Sequence, residues 1–197
     1  MKTGIFGGSF NPVHSGHIHL AKSVRDSLGL DRVIFVPSKI SPHKSSAEYV
    51  PEIHRIKMLE LAVAEEKGFE VSQYELNFKR ISYSIYTAEH FREKFPNDEL
   101  YMLIGSDMLL SFEKWYRFRD IMKLVTLAVV SREKGDSELI SEKSDELSQF
   151  GKIIICPVSP FPASSTEIRK KIRENENYAC YLNKNVVQYI TSNNLYK

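Results

Sequence analysis

Short apolar runs alternate with amphipathic stretches along the whole chain, and few architectures accept that order. Strands are expected at 3–6, 32–36, 69–71, 100–104, 124–130 and 152–156. Helices are expected at 15–28, from Pro51 to near 68, and at 82–95, 165–175 and 184–191, with 132–149 part helix and part loop. A near-continuous apolar run such as 33–36 suits a strand buried on both faces. Strand–helix repetition argues for a parallel sheet with helices on its faces. Leu20, Ala21, Val24 and Leu28 recur at helical spacing. Ser15 reads as the N-cap of that helix and Gly29 as its stop. Pro51 fits the first turn of the second helix. The expected fold is α/β, a Rossmann-like doubly wound parallel sheet with a C-terminal helical extension.

A chain of 197 residues suits a single domain, 1–197, in which about 165–197 form the helical subregion. Hydrophobic residues make up 42%, enough for a core, and the net charge of +2 is too small to argue for nucleic acid. No apolar run reaches the roughly 20 residues of a membrane helix. Cys156 and Cys180 lie far apart, which suggests reduced, buried thiols in a cytoplasmic protein. Met1-Lys2 leads straight into the first strand, so no signal peptide is expected. Oligomeric state is left open, a homo-oligomer included.

Residues 4–19 carry the densest chemistry. The first strand runs into a small-residue turn, Gly7-Gly8-Ser9, and then into a helix opened by His14 and His17. Glycines let backbone N–H groups approach an anion. A helix start adds its dipole and its unpaired N–H groups, and imidazoles add donors. A phosphate site, and one where a phosphate reacts, is the reading. A zinc site is disfavoured, since His-x-x-His supplies only two of the three or four ligands needed. His43, His54 and His90 are scattered, so no metal site is expected.

Gly4-Ile-Phe-Gly-Gly-Ser-Phe-Asn-Pro-Val-His-Ser-Gly-His17 resembles the signature of the nucleotidyltransferase superfamily with the (T/H)xGH motif, whose relatives include class I aminoacyl-tRNA synthetases. The form is similar to that of bacterial nicotinate-nucleotide adenylyltransferases. Further matches follow in register at 36–38, 42–44, 54–55, 58–62, 82–84, 104–107, 115–116, Arg132 and 164–169.

The resemblance implies roles. ATP would be held by Gly7, Gly8, Ser9, Phe10, His14, His17, Gly105, Asp107, Ser165, Thr166 and Arg169, with His14, His17 and Arg169 catalytic. Ser164 to Glu167 also fits a capping box on local grounds alone. Asp107, after a buried strand, reads either as a turn residue or as an acceptor from a ribose hydroxyl. Nicotinate mononucleotide would meet Lys44, Ser82, Tyr83, Ser84, Trp115 and Arg132, with Trp115 stacked on the pyridine ring. His43 and Lys44 read otherwise as a solvated basic loop, and the helix around His54-Arg55 as structural. Where such enzymes often carry Asp, this chain has Tyr86.

The implied reaction is ATP plus nicotinate mononucleotide giving deamido-NAD and pyrophosphate, with Mg²⁺ carried by the ATP phosphates. Alternatives with the same first motif use nicotinamide mononucleotide, phosphopantetheine or a cytidylyl transfer. A nucleotide-binding regulator without turnover and an RNA-binding module are the readings from other classes.

Overall fold

The computed structural model describes residues 1–39, 49–78, 81–131, 137–159 and 161–197. Six strands form one sheet: β1 (Lys2–Gly8), β2 (Arg32–Pro37), β3 (Phe69–Val71), β4 (Glu99–Gly105), β5 (Thr126–Ser131) and β6 (Ile153–Pro157). Their spatial order is β3-β2-β1-β4-β5-β6, and every pair is parallel. The winding reverses between β1 and β4. In such sheets a crevice opens outside the carboxyl ends of the strands at that switch point.

Eight α-helices accompany the strands among the described residues: α1 (Ser15–Leu28), α2 (Glu52–Val63), α3 (Ser84–Lys94), α4 (Ser106–Leu109), α5 (Phe118–Leu124), α6 (Ser137–Ser148), α7 (Ser165–Arg173) and α8 (Lys184–Ser192). Residues from α1, α2, α7 and α8 (Leu20, Met58, Ile168 and Ile190 among them) share one core with the sheet face carrying Phe6 and Phe35. Ile85, Leu109, Ile121 and Ile140, from α3 to α6, share the other with Ile5 and Ile34. Alternate residues of β1 and β2 therefore serve opposite cores, which is why those runs are apolar throughout. The terminal helices complete the first core.

Several boundaries differ from expectation. β1 continues through Gly7 and Gly8, which pair with Val36 and Pro37, so the glycine pair ends a strand and the turn proper is 9–12. The N-cap of α1 is His14, in extended conformation, and not Ser15. Gly29 does stop that helix, at φ 61°. Leu124 closes α5, whereas the sequence suggested that it opens a strand. The second strand-to-helix path, at 105–124, holds short helices that periodicity is too coarse to show.

At the amino ends of the strands a polar clip ties the sheet. Thr3 Oγ1 and the Arg32 guanidinium donate to Asp98 Oδ2 at 2.7 and 2.9 Å. Arg32 also lies over the Phe95 ring, 3.8 Å from its centroid. This end of the molecule is the opposite one from the crevice.

Candidate active site

The turn after β1 is held by side chains from two distant helices, α2 and α7, and from the C-terminal segment. Phe10 adopts a left-handed backbone, φ 46°, uncommon for a bulky residue. Its ring is buried among Phe6, Phe35 and His17, at centroid distances of 5.5, 5.7 and 5.1 Å. Phe10 therefore offers a ligand its backbone only. A Cβ on Gly8 would come within 3.0 Å of that ring, while one on Gly7 would meet nothing within 4 Å.

Three carbonyls of the turn, those of Ser9, Asn11 and Pro12, are tied back into the protein. Arg55, buried on α2, donates from Nη1 to the carbonyls of Ser9 and Ser38, both at 2.8 Å. Arg169 Nη1 donates to the Asn11 carbonyl and Ser165 Oγ to the Pro12 carbonyl, both at 2.9 Å. A peptide unit is planar, and across a trans bond its N–H points opposite its C=O. With the Ser9 and Pro12 carbonyls drawn inward, the N–H groups of Phe10 and Val13 are turned the other way. Burial holds the Arg55 guanidinium below its usual pKa, a shift that Glu52 partly offsets.

His14 and His17 sit side by side at the head of α1, ring centroids 3.7 Å apart. His17 Nδ1 accepts from the His14 backbone N–H at 3.2 Å, so the neutral ring carries its proton on Nε2. The helix cap thus selects which His17 nitrogen can donate to a ligand. Gly16 makes the pairing sterically available: a Cβ there would lie 3.0 Å from His14 Nδ1. That contact gives the glycine of His-x-Gly-His a physical reason.

The second helix start expected at the site is there. Ser164 caps α7, its Oγ accepting from Glu167 N at 3.1 Å, and Thr166 is exposed on the first turn. Ser165 and Arg169 meet the turn at 9–12 through the bonds just described. The amino-terminal and carboxy-terminal motifs therefore converge. At the switch point Gly105 ends β4, and Asp107 lies exposed in the first turn of α4 instead of capping it. A Cβ on Gly105 would fall 2.5 Å from Asp107 Oδ1, so the carboxylate folds back over bare backbone.

Two hollows flank this centre. One, of about 310 Å³, is walled by His14, Val130, Val158, Ser159 and Phe161. His19, given no role from sequence, closes it by a 3.0 Å hydrogen bond between Nε2 and the Ser159 carbonyl. The other, of about 200 Å³, is lined by Glu75, Phe78, Ser82, Tyr83, Tyr86 and Thr87. Tyr83 and Ser84 form the cap and first residue of α3, and Ser82 Oγ accepts from Lys39 N at 3.1 Å. Glu75 takes a 2.6 Å bond from Thr87 Oγ1, and burial pushes its pKa up against the pull of its Thr87 and Ser82 hydrogen bonds. Nothing in the sequence around Glu75 signalled this. Tyr86 joins an aromatic group with Tyr83 and Tyr116, at 6.4 and 6.3 Å. Trp115 is half-buried against Phe112, 4.9 Å between centroids, on the same core. Lys44 and Arg132, expected at the site, lie outside the described residues.

The cytidylyltransferase-like family model matches residues 5–171. A protein of Caldicellulosiruptor saccharolyticus named "Probable nicotinate-nucleotide adenylyltransferase" is 38% identical over 199 residues, covering 100% of both chains. The chain belongs to the nicotinate-nucleotide adenylyltransferase family. A Carboxydothermus hydrogenoformans member of this family, with the same printed name, is also 38% identical and covers 100% of this chain and 98% of its own. Among solved structures, Plasmodium falciparum nicotinic acid mononucleotide adenylyltransferase complexed with NaAD superposes with a TM-score of 0.81 at 19% identity, covering 100% and 98% of the two chains. That likeness shows the Rossmann-like α/β fold.

Proposed function

We propose that the chain transfers the adenylyl group of ATP to nicotinate mononucleotide, giving deamido-NAD and pyrophosphate. One observation carries the reading: the head of α1, with His14 and His17, and the head of α7, with Ser165 and Arg169, meet across the turn at 9–12. Two positive helix ends, two imidazoles and a guanidinium at one place suit a triphosphate.

The acceptor phosphate is already ionised, so no enzyme nucleophile is required. One of its oxygens attacks the α-phosphorus of ATP, the bond from that phosphorus to the bridging oxygen breaks, and pyrophosphate leaves with those electrons. Catalysis is then alignment plus charge stabilisation. His17 Nε2 and His14 donate to the α- and β-phosphates. The N–H groups of Ser165 and Thr166, with the Arg169 guanidinium, hold the β- and γ-phosphates. Mg²⁺ enters on the ATP oxygens. The base occupies the hollow walled by Val130 and Val158, and Asp107 accepts from ribose. The start of α3 at Ser82, Tyr83 and Ser84 receives the nicotinate carboxylate, and Trp115 packs on the ring. Both cysteines are free thiols, Cys156 buried and Cys180 exposed where burial of both was expected, and free thiols suit a reducing cytoplasm.

The test is pyrophosphate release from ATP-Mg²⁺ with a panel of acceptors that includes both pyridine mononucleotides and phosphopantetheine. A strong preference for nicotinate mononucleotide is expected. Equal rates with the amide would make the enzyme dual-specific, and ATP binding without turnover on any acceptor would make the chain a nucleotide-binding regulator.

A further inference from the structure

Asn11 stands at a junction that the site's chemistry does not by itself explain. It is buried to 1% exposure. Its backbone carbonyl accepts from Arg169 Nη1 at 2.9 Å. Its side-chain Oδ1 accepts twice, from the Tyr196 hydroxyl at 2.9 Å and from Val50 N at 3.3 Å. Tyr196 reaches this point from 185 residues away in sequence. We propose that Tyr196 is a positioning residue for ATP: by holding the Asn11 side chain, it fixes the carbonyl that aims the Arg169 guanidinium at the triphosphate. This rests on the reading of the site as an ATP site.

Three observations carry it. Tyr196 takes a left-handed backbone, φ 66°, a conformation that costs a bulky residue energy and persists only where its surroundings impose it. Its side chain packs against the core shared by α1, α2, α7 and α8, so the phenol is delivered by packing and not by chance contact. The amide oxygen of Asn11 has two lone pairs, and it accepts from two separate donors, the Tyr196 hydroxyl and the Val50 backbone N–H, on a side chain that adjoins Pro12. Rotating that amide would break both bonds at once. Asn11 therefore has a single well-defined orientation, and the carbonyl facing Arg169 is set by it.

The arrangement resolves why a residue so far from the motifs should matter to them. Arg169 has a flexible side chain and five donors. One donor is spent on Asn11, which restricts the plane of the guanidinium and so the direction of the rest. Loss of the phenol hydroxyl removes one neutral hydrogen bond and leaves the ring to pack as before. The expected cost is that of one such bond, felt where Arg169 acts.

The experiment compares Tyr196→Phe with the unaltered chain. Affinity for ATP-Mg²⁺ is read by calorimetry well below the thermal midpoint of the variant, and steady-state constants are read for both substrates. Tyr196→Phe is expected to bind ATP about 3- to 10-fold more weakly, with KM for nicotinate mononucleotide unchanged. In a cycle with Arg169→Lys the two losses should fall short of multiplying, because they act through one guanidinium. ATP affinity equal to that of the unaltered chain would overturn the proposal, whatever the thermal midpoint does. So would an equal rise in KM for both substrates, which is general loosening. If the unaltered chain binds ATP but uses no pyridine mononucleotide, the acceptor assignment fails and the role of Tyr196 is still decided by the binding arm.

Discussion

The hydroxyl of Ser165 donates to the carbonyl of Pro12 at 2.9 Å, joining residues 153 apart in sequence. The bond closes the gap between the two helix heads. Ser165→Ala removes it and leaves the Pro12 carbonyl without that donor. The expected result is a fall of about 5-fold in kcat/KM for ATP, the worth of one neutral hydrogen bond. Ser165→Thr, which keeps a hydroxyl, should recover part of it. Steady-state kinetics at varied ATP checks both.

His17→Ala should lower turnover by about 100- to 1,000-fold, the scale of losing one aimed donor to developing charge. The main cost to folding is the lost Nδ1 acceptor at the helix cap, about 1 kcal/mol, to which the lost edge contact with the Phe10 ring adds. For a chain of this size that is a thermal midpoint shift of about 2–4 °C. A much larger shift would mean that His17 serves the fold.

Gly16→Ala separates stability from activity in the opposite sense. Alanine is favoured over glycine in a helix by about 1 kcal/mol, so the variant should be as stable as the parent or more so. Its methyl group nevertheless lies 3.0 Å from His14 Nδ1 and displaces that ring. Turnover should fall by about 10-fold or more, since misplacements of this size at a reacting centre are expensive. Calorimetry and kinetics on the same sample test the pair of outcomes.

Asp98 makes stability depend on acidity. The Thr3 hydroxyl first, and then Arg32 and the terminal amine, hold its carboxyl below its usual pKa. A lowered folded pKa means that the ionised form stabilises the fold above the ordinary carboxylate range. That contribution disappears as pH falls through the folded value. Asp98→Asn should therefore be less stable near neutrality by about 2 kcal/mol, and the gap should narrow below about pH 4. Thermal midpoints across pH for both chains measure it. Activity of the folded variant should be unchanged, because the clip lies at the far end of the sheet.

Gly105→Ala places a methyl group 2.5 Å from Asp107 Oδ1. The carboxylate must swing away, so KM for ATP should rise while KM for the mononucleotide stays constant. An unchanged KM for ATP would remove Asp107 from the ribose contact.

The periodic parts of the fold were readable because they are local. All six strands lie within a few residues of expectation, and the parallel order follows from strand–helix alternation. Boundaries set by tertiary contact were not readable. Gly7 and Gly8 look like a turn but pair with Val36 and Pro37 because β2 extends beside them. His14 displaces Ser15 as cap because its neighbour His17 supplies the acceptor. The helix at Arg55, read as structural, supplies the guanidinium that holds the Ser9 and Ser38 carbonyls beside the site.

From sequence alone came the order of elements and the residue types at the crevice: two imidazoles on one helix head, a serine and an arginine on another, and glycines beside them. Periodicity and spacing are properties of neighbours, so a one-dimensional record preserves them. Only the tertiary structure decided that Asn11, Arg55, Arg169 and Tyr196 meet. Their meeting depends on how the sheet winds and how the last helices close on the first, and side chains so far apart in the chain leave no pattern in it.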